Sequence, residues 1–134
     1  TPVTAVKVAP DGGQVPMVRR AAVYVGKAGG ISMAETLACG VPQILSAVLP
    51  GQERLSAERL VSIGCARWED DPARVSGRLG EWIGCPEERR RAADKAASWG
   101  RPDSSLRIWE EVGLFEELWR GSAAGCRLEP ALPV

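Results

Sequence analysis

One stretch, Gly26-Lys27-Ala28-Gly29-Gly30-Ile31-Ser32-Met33-Ala34-Glu35, carries residue types at a spacing that can do chemistry. A glycine pair running straight into a helical pattern can offer free backbone N–H groups and the positive end of a helix dipole to an anion. A phosphate suits such a turn. Ser32 is placed to cap the helix. With Glu35 three residues on, it also fits a capping box, in which Glu35 returns a hydrogen bond to the Ser32 backbone. Glycines at a strand–helix turn can serve geometry alone. Lys27 can reach a phosphate, but Gly26-Lys27 lacks the G-x-x-x-x-G-K-[ST] frame and is not a P-loop.

Other chemistries are excluded by composition. The 134 residues contain no histidine, which removes a His base, a Ser-His-Asp triad and any His metal site. The cysteines at 39, 65, 85 and 126 show no CxxC spacing and suit reduced thiols in a cytoplasmic compartment. Lys+Arg and Asp+Glu balance at 17 each, so no global charge argues for nucleic acid or an anionic membrane. Neither a metal nor a cofactor is expected.

The elements that must position the glycine turn follow from periodicity. Val3 to Val8 reads as a short strand, and Val15 to Ala22 as a brief helix. Val23–Gly26 is the strand leading into the turn. Ala34, Leu37, Ala38 and Val41 mark the apolar face of the helix leaving it, and Gly40-Val41-Pro42 ends it. A strand over Gln43–Val48, a loop Leu49-Pro50-Gly51-Gln52-Glu53, a helix Ser56–Ile63 closed by Gly64 and a short strand Cys65–Trp68 come next. Helices then follow alone, over Ala73–Ile83, Glu87–Trp99 and Ser104–Trp119, and a loose tail begins at Gly121. Trp82, Trp99, Trp109 and Trp119 are expected to pack these helices together. The run Glu87-Glu88-Arg89-Arg90-Arg91 reads as a solvated helix face, with a membrane-facing basic patch as the alternative.

Strands alternating with helices indicate an α/β class with a parallel sheet of about four strands. Ligands on such sheets bind beyond the carboxyl ends of strands. Gly29–Glu35 and Leu49–Glu53 both follow strands and should open on that same edge.

With these motifs in order, Val25 to Glu35, Gly40-Val41-Pro42, Leu49 to Glu53, Gly64 and Gly100-Arg101-Pro102-Asp103, the chain resembles the donor-binding domain of family-28-type glycosyltransferases. Within that group it is most similar to diacylglycerol glycosyltransferases and monogalactosyldiacylglycerol synthases. The resemblance implies the C-terminal half of a GT-B fold, truncated at its start: a Rossmann-like parallel sheet flanked by helices over residues 1–120, with 121–134 as tail. It implies an inverting hexosyltransferase that moves a sugar from a UDP-sugar to a lipid acceptor. Gly29, Gly30, Ile31 and Ser32 would hold the diphosphate, Glu35 the ribose hydroxyls, and Gly51, Gln52 and Glu53 the donor sugar. The acceptor-binding N-terminal half, which supplies the base in this family, does not match any part of the chain. The chain is therefore expected to be a fragment or one partner of a split enzyme, inactive alone, with no catalytic residue of its own. It would meet the lipid acceptor through the other half and could lie peripherally at a membrane surface. Two other readings are a non-catalytic scaffold or protein-binding module with the same fold, and a fragment of a UDP-sugar epimerase. The epimerase would need a His that the chain lacks.

Overall fold

A computed structural model of the chain describes residues 15–122. The chain divides into two compact units, Thr1–Pro102 and Asp103–Val134. In the first, the elements run α1 (Val15–Val18), β1 (Tyr24–Gly26), α2 (Gly30–Ala38), β2 (Gln43–Leu45), α3 (Gln52–Ile63), β3 (Ala66–Trp68), α4 (Pro72–Gly84) and α5 (Pro86–Trp99). The second holds α6 (Ser104–Ser122). The strand expected over Val3–Val8 lies outside the described residues, as does the tail from residue 123 onward.

Among the described residues the sheet has three strands in the order β1-β2-β3, all parallel. Tyr24 sits opposite Gln43, which sits opposite Ala66. Mixed α/β architecture with a parallel sheet flanked by helices is the class the alternating pattern implied. The central strand is buried throughout, as a sheet covered on both faces requires. Its side chains alternate between two cores. Leu45 packs with Met33 of α2 and with Ala57 and Leu60 of α3. Ile44 packs on the other side, with Trp82 of α4 and Ala92 of α5.

Local chemistry explains most boundaries. Gly64 ends α3 at a φ of 86°, and Asp71 starts α4 by accepting the Ala73 N–H at 3.0 Å. Strand β2 stops three residues short of the expected Val48. Ala47 takes a φ of 53°, a left-handed conformation that turns the chain out of the ladder. Gly100 follows α5 where the chain passes α2. A Cβ there would overlap the Leu37 carbonyl and lie 2.9 Å from the Ala38 Cα.

The tryptophans divide. Trp82 is buried, as expected of a helix-packing residue. Trp99 is 45% exposed with the Arg59 guanidinium 4.8 Å from its ring centroid, and Trp109 is 76% exposed. For those two the packing expectation does not hold within the described residues. The Trp119 side chain lies outside them. Along α6, Leu106, Ile108, Val112 and Leu114 are exposed as well.

Candidate functional site

The carboxyl ends of β1 and β2 lie side by side, with Gly26 opposite Leu45 and the Ser46 N–H donating to the Gly26 carbonyl at 2.9 Å. Each strand is followed by a short connection and then a helix N-terminus, α2 after β1 and α3 after β2. The two connections sought in the sequence therefore share one edge of the sheet.

Helix α2 begins earlier than the capping argument places it. Gly29 is the N-cap, in extended conformation and with no side-chain cap hydrogen bond, and Gly30 is the first helical residue. The Met33 N–H closes the first turn onto the Gly29 carbonyl at 3.0 Å. Ser32 is consequently inside the first turn and is not the residue that caps the helix. Glycine is among the residues accepted as an N-cap, and the φ of −73° and ψ of 134° at Gly29 are open to any residue. Gly29, Gly30, Ile31 and Ser32 remain together as the first turn of the helix. That is the place where N–H groups precede the intrahelical ladder and the dipole is positive. Ile31 is 78% exposed there. Glu35 lies one turn further along α2 and is half-buried.

Helix α3 also starts earlier, at Gln52 rather than Ser56. Gln52 and Glu53 belong to its first turn and not to a loop. Gly51 makes the entry with φ 93° and ψ −126°, a backbone conformation that L side chains rarely adopt, so the glycine is required there. Gln52 is exposed at the edge, while Glu53 is partly covered. The Glu53 carboxylate accepts the Leu49 N–H at 3.1 Å through Oε2. Its Oε1 lies 3.8 Å from the Lys27 Nζ.

That ion pair joins the β1–α2 connection to the start of α3. Gly29, Gly30, Ile31 and Ser32 thus form one helix N-terminus of the site, and Gly51, Gln52 and Glu53 the other. Glu35 stands behind the first on the same helix. Lys27 was set aside in the sequence because it fits no P-loop, yet it is the cation that connects the two loops. The signal was its position directly after the strand. Two positive helix ends, a flexible cation that is 64% exposed and a carboxylate with one oxygen on that cation make an edge that can bind a diphosphate and contact hydroxyl groups beside it.

The chain is similar to monogalactosyldiacylglycerol synthases. It is 28% identical over 89 residues to "Probable monogalactosyldiacylglycerol synthase, chloroplastic" of Nicotiana tabacum, covering 66% of this chain and 17% of that protein. It is 27% identical, also over 89 residues, to "Monogalactosyldiacylglycerol synthase 3, chloroplastic" of Arabidopsis thaliana, covering 66% of this chain and 19% of that protein. Both carry the name of an enzyme group that the motifs resemble. The chain spans less than a fifth of the length of either. No protein-family profile matches it. Among the described residues, no helix is long and apolar enough to cross a membrane.

Proposed function

We propose that this chain is the donor-binding part of a glycosyltransferase that transfers a hexose from a UDP-sugar to a lipid acceptor. The observation that carries the proposal is the convergence of the α2 and α3 N-termini on one sheet edge, with Lys27 and Glu53 joined across it at 3.8 Å. The similarity to two proteins named as monogalactosyldiacylglycerol synthases supports the lipid acceptor.

In this reading the diphosphate sits at the Gly29–Ser32 turn, where backbone N–H groups and the helix dipole take up the charge that grows on the leaving UDP. Glu35 accepts hydrogen bonds from the ribose hydroxyls, and Gln52 and Glu53 hold the donor sugar. Fixed dipoles can do this without a metal ion. The base and the acceptor site come from a second GT-B half, and the exposure of Ile31 and Leu49 at the edge supports a cover there. The isolated chain binds donor and does not turn it over. Inversion at the anomeric carbon follows from attack on the face opposite UDP.

Isothermal titration of the chain with UDP tests the reading. Saturable binding that is unchanged by EDTA is expected, with no sugar transfer until the second half is supplied. Absence of UDP binding would leave the fold as a scaffold and remove the donor-site assignment.

A further inference from the structure

A second concave feature lies at the other end of the sheet, where β3 begins. It is a recess of about 380 Å³ between the end of α3 at Ile63 and Gly64, Ala66 of β3, and Arg91, Ala92 and Lys95 of α5. The volume is within the range of small-molecule sites. The recess is lined by residues that the donor edge does not use.

Its charges are not balanced. Arg67, Trp82 and Glu88 line the recess as well, and Arg67 is fully engaged: its guanidinium binds Glu81 at 2.5 Å and Glu88 at 2.8 Å, and stacks 4.7 Å from the Trp82 ring centroid. Glu81 and Glu88 are thereby committed to Arg67. Arg91 and Lys95 are exposed, and neither has an acidic partner among the described residues. They stand four residues apart on α5, a separation that puts side chains one above the other, with about 5–6 Å between Cβ atoms. Between this cationic pair and the α3 end lies an apolar floor of Ala66 and Ala92, both buried.

We propose that this recess binds an organic phosphate monoester, its phosphate between Arg91 and Lys95 and its apolar body on Ala66 and Ala92. A dianion matches two cations one turn apart, and the planar Arg91 fork matches two phosphate oxygens at once. The far wall orients the ligand. Helix α3 ends there in Gly64, whose N–H already occupies the Val61 carbonyl at 2.9 Å, and the negative end of that helix repels the phosphate toward α5. The source of the phosphate is a soluble metabolite or the headgroup of an anionic lipid; the chemistry at Arg91 and Lys95 is the same.

Titration of the isotope-labelled chain with phenyl phosphate, followed by amide NMR, tests the site. Saturable shifts at Ala66, Ala92 and Lys95 are expected, unaffected by saturating UDP. The double variant R91A/K95A should weaken binding by about tenfold or more with an unchanged melting temperature, since both side chains are exposed. Cosedimentation with phosphatidylcholine vesicles, with and without phosphatidic acid, separates the sources. Capture by the acidic vesicles that phenyl phosphate competes away identifies a headgroup; phenyl phosphate binding without vesicle capture identifies a soluble ligand. No phenyl phosphate binding, binding displaced by UDP, or equal binding by R91A/K95A would overturn the proposal.

Discussion

The Lys27 ammonium and the Glu53 carboxylate stand 3.8 Å apart across two connections that leave neighbouring strands. Lys27 is 64% exposed, so the pair itself contributes little to stability, about 0–1 kcal/mol. Its interest lies in what a diphosphate would do to it. In the proposed reading, a phosphate at the Gly29–Ser32 turn would compete with Glu53 for Lys27.

Glu53→Gln should therefore tighten UDP binding, by about two- to fivefold, because a carboxylate near the anion is removed and Lys27 is released. The same change should reduce the extra affinity of UDP-sugar over UDP, since Glu53 is proposed to hold the sugar. Calorimetry with both ligands reads the two effects separately. Weaker UDP binding in Glu53→Gln would mean that the Leu49 loop, held by Glu53 at 3.1 Å, matters more than the charge.

Glu35→Ala tests the nucleotide end. Ser32 is not the N-cap, so the variant should lose at most about 1 kcal/mol of stability, the worth of an ordinary hydrogen bond. If Glu35 holds the ribose, UDP affinity should fall about ten- to hundredfold, the worth of hydrogen bonds to a charged group. A lowered melting temperature with unchanged UDP affinity would assign Glu35 to the helix alone.

How much of this was legible in the sequence depended on range. Gly64 and Asp71 act within one turn of themselves; Gly64 ends α3 where the pattern put it, and Asp71 caps α4 one residue ahead of Pro72, next to the expected start at Ala73. The class of the sheet followed from the alternation of apolar runs. The two helix starts did not. Ser32 drew attention as a side-chain cap and Ser56 as a helix start, whereas the helices begin after Gly29 and Gly51, and Gly51 is there for a positive φ rather than for any side-chain group. The Lys27–Glu53 pair is twenty-six positions long in sequence and depends on the path of both loops, so no local pattern contains it. The solvent exposure of Trp109 was equally hidden, because an aromatic residue on a helix advertises packing whether or not a partner is present.

Gly100→Ala should destabilise the first unit by about 1–3 kcal/mol, the usual cost of forcing atoms into a packed contact. The cause is space, not conformation: Gly100 has φ −61° and ψ 149°, which any residue adopts, but its Cβ would enter the Leu37 peptide. Chemical denaturation measures the loss. A neutral substitution would show that α2 and α5 can separate there freely.

Burial pushes the Cys65 thiol above its ordinary range; its Sγ also donates to the Leu60 carbonyl at 3.4 Å. Cys39 and Cys85 are only half-buried. Iodoacetamide at pH 8 should modify Cys39 and Cys85 first and reach Cys65 only on unfolding. The raised folded value also fixes a sign. The protonated thiol's contribution to stability is complete below the unfolded thiol's pKa and is lost as pH rises through the folded one. Cys65→Ala should remove that part of the alkaline loss, and peptide mass mapping and pH-dependent melting check the two statements. Early alkylation of Cys65 would show that α3 opens without global unfolding.

Gln52 is the residue on which sugar recognition is proposed to turn. It is the first residue of α3, exposed at the edge that also carries the Gly29–Ser32 turn, and it is placed there by the positive φ of Gly51. An amide offers a donor and an acceptor together, which is what a pair of sugar hydroxyls requires. Gln52→Ala should therefore weaken UDP-sugar binding while leaving UDP bound as before. In an enzyme reconstituted with the proposed second half, the same change should lower transfer, because hydroxyl contacts orient the anomeric carbon for attack. Titrations of the two ligands against parent and variant decide the matter. Equal losses for UDP and UDP-sugar would move Gln52 to the nucleotide or to the support of the α3 start, and no loss for either would leave it a solvated first-turn residue. Gly51→Ala separates the backbone from the amide. It strains the entry to α3 without touching Gln52 chemically, so it should disturb both ligands alike, whereas the loss in Gln52→Ala should be confined to the sugar.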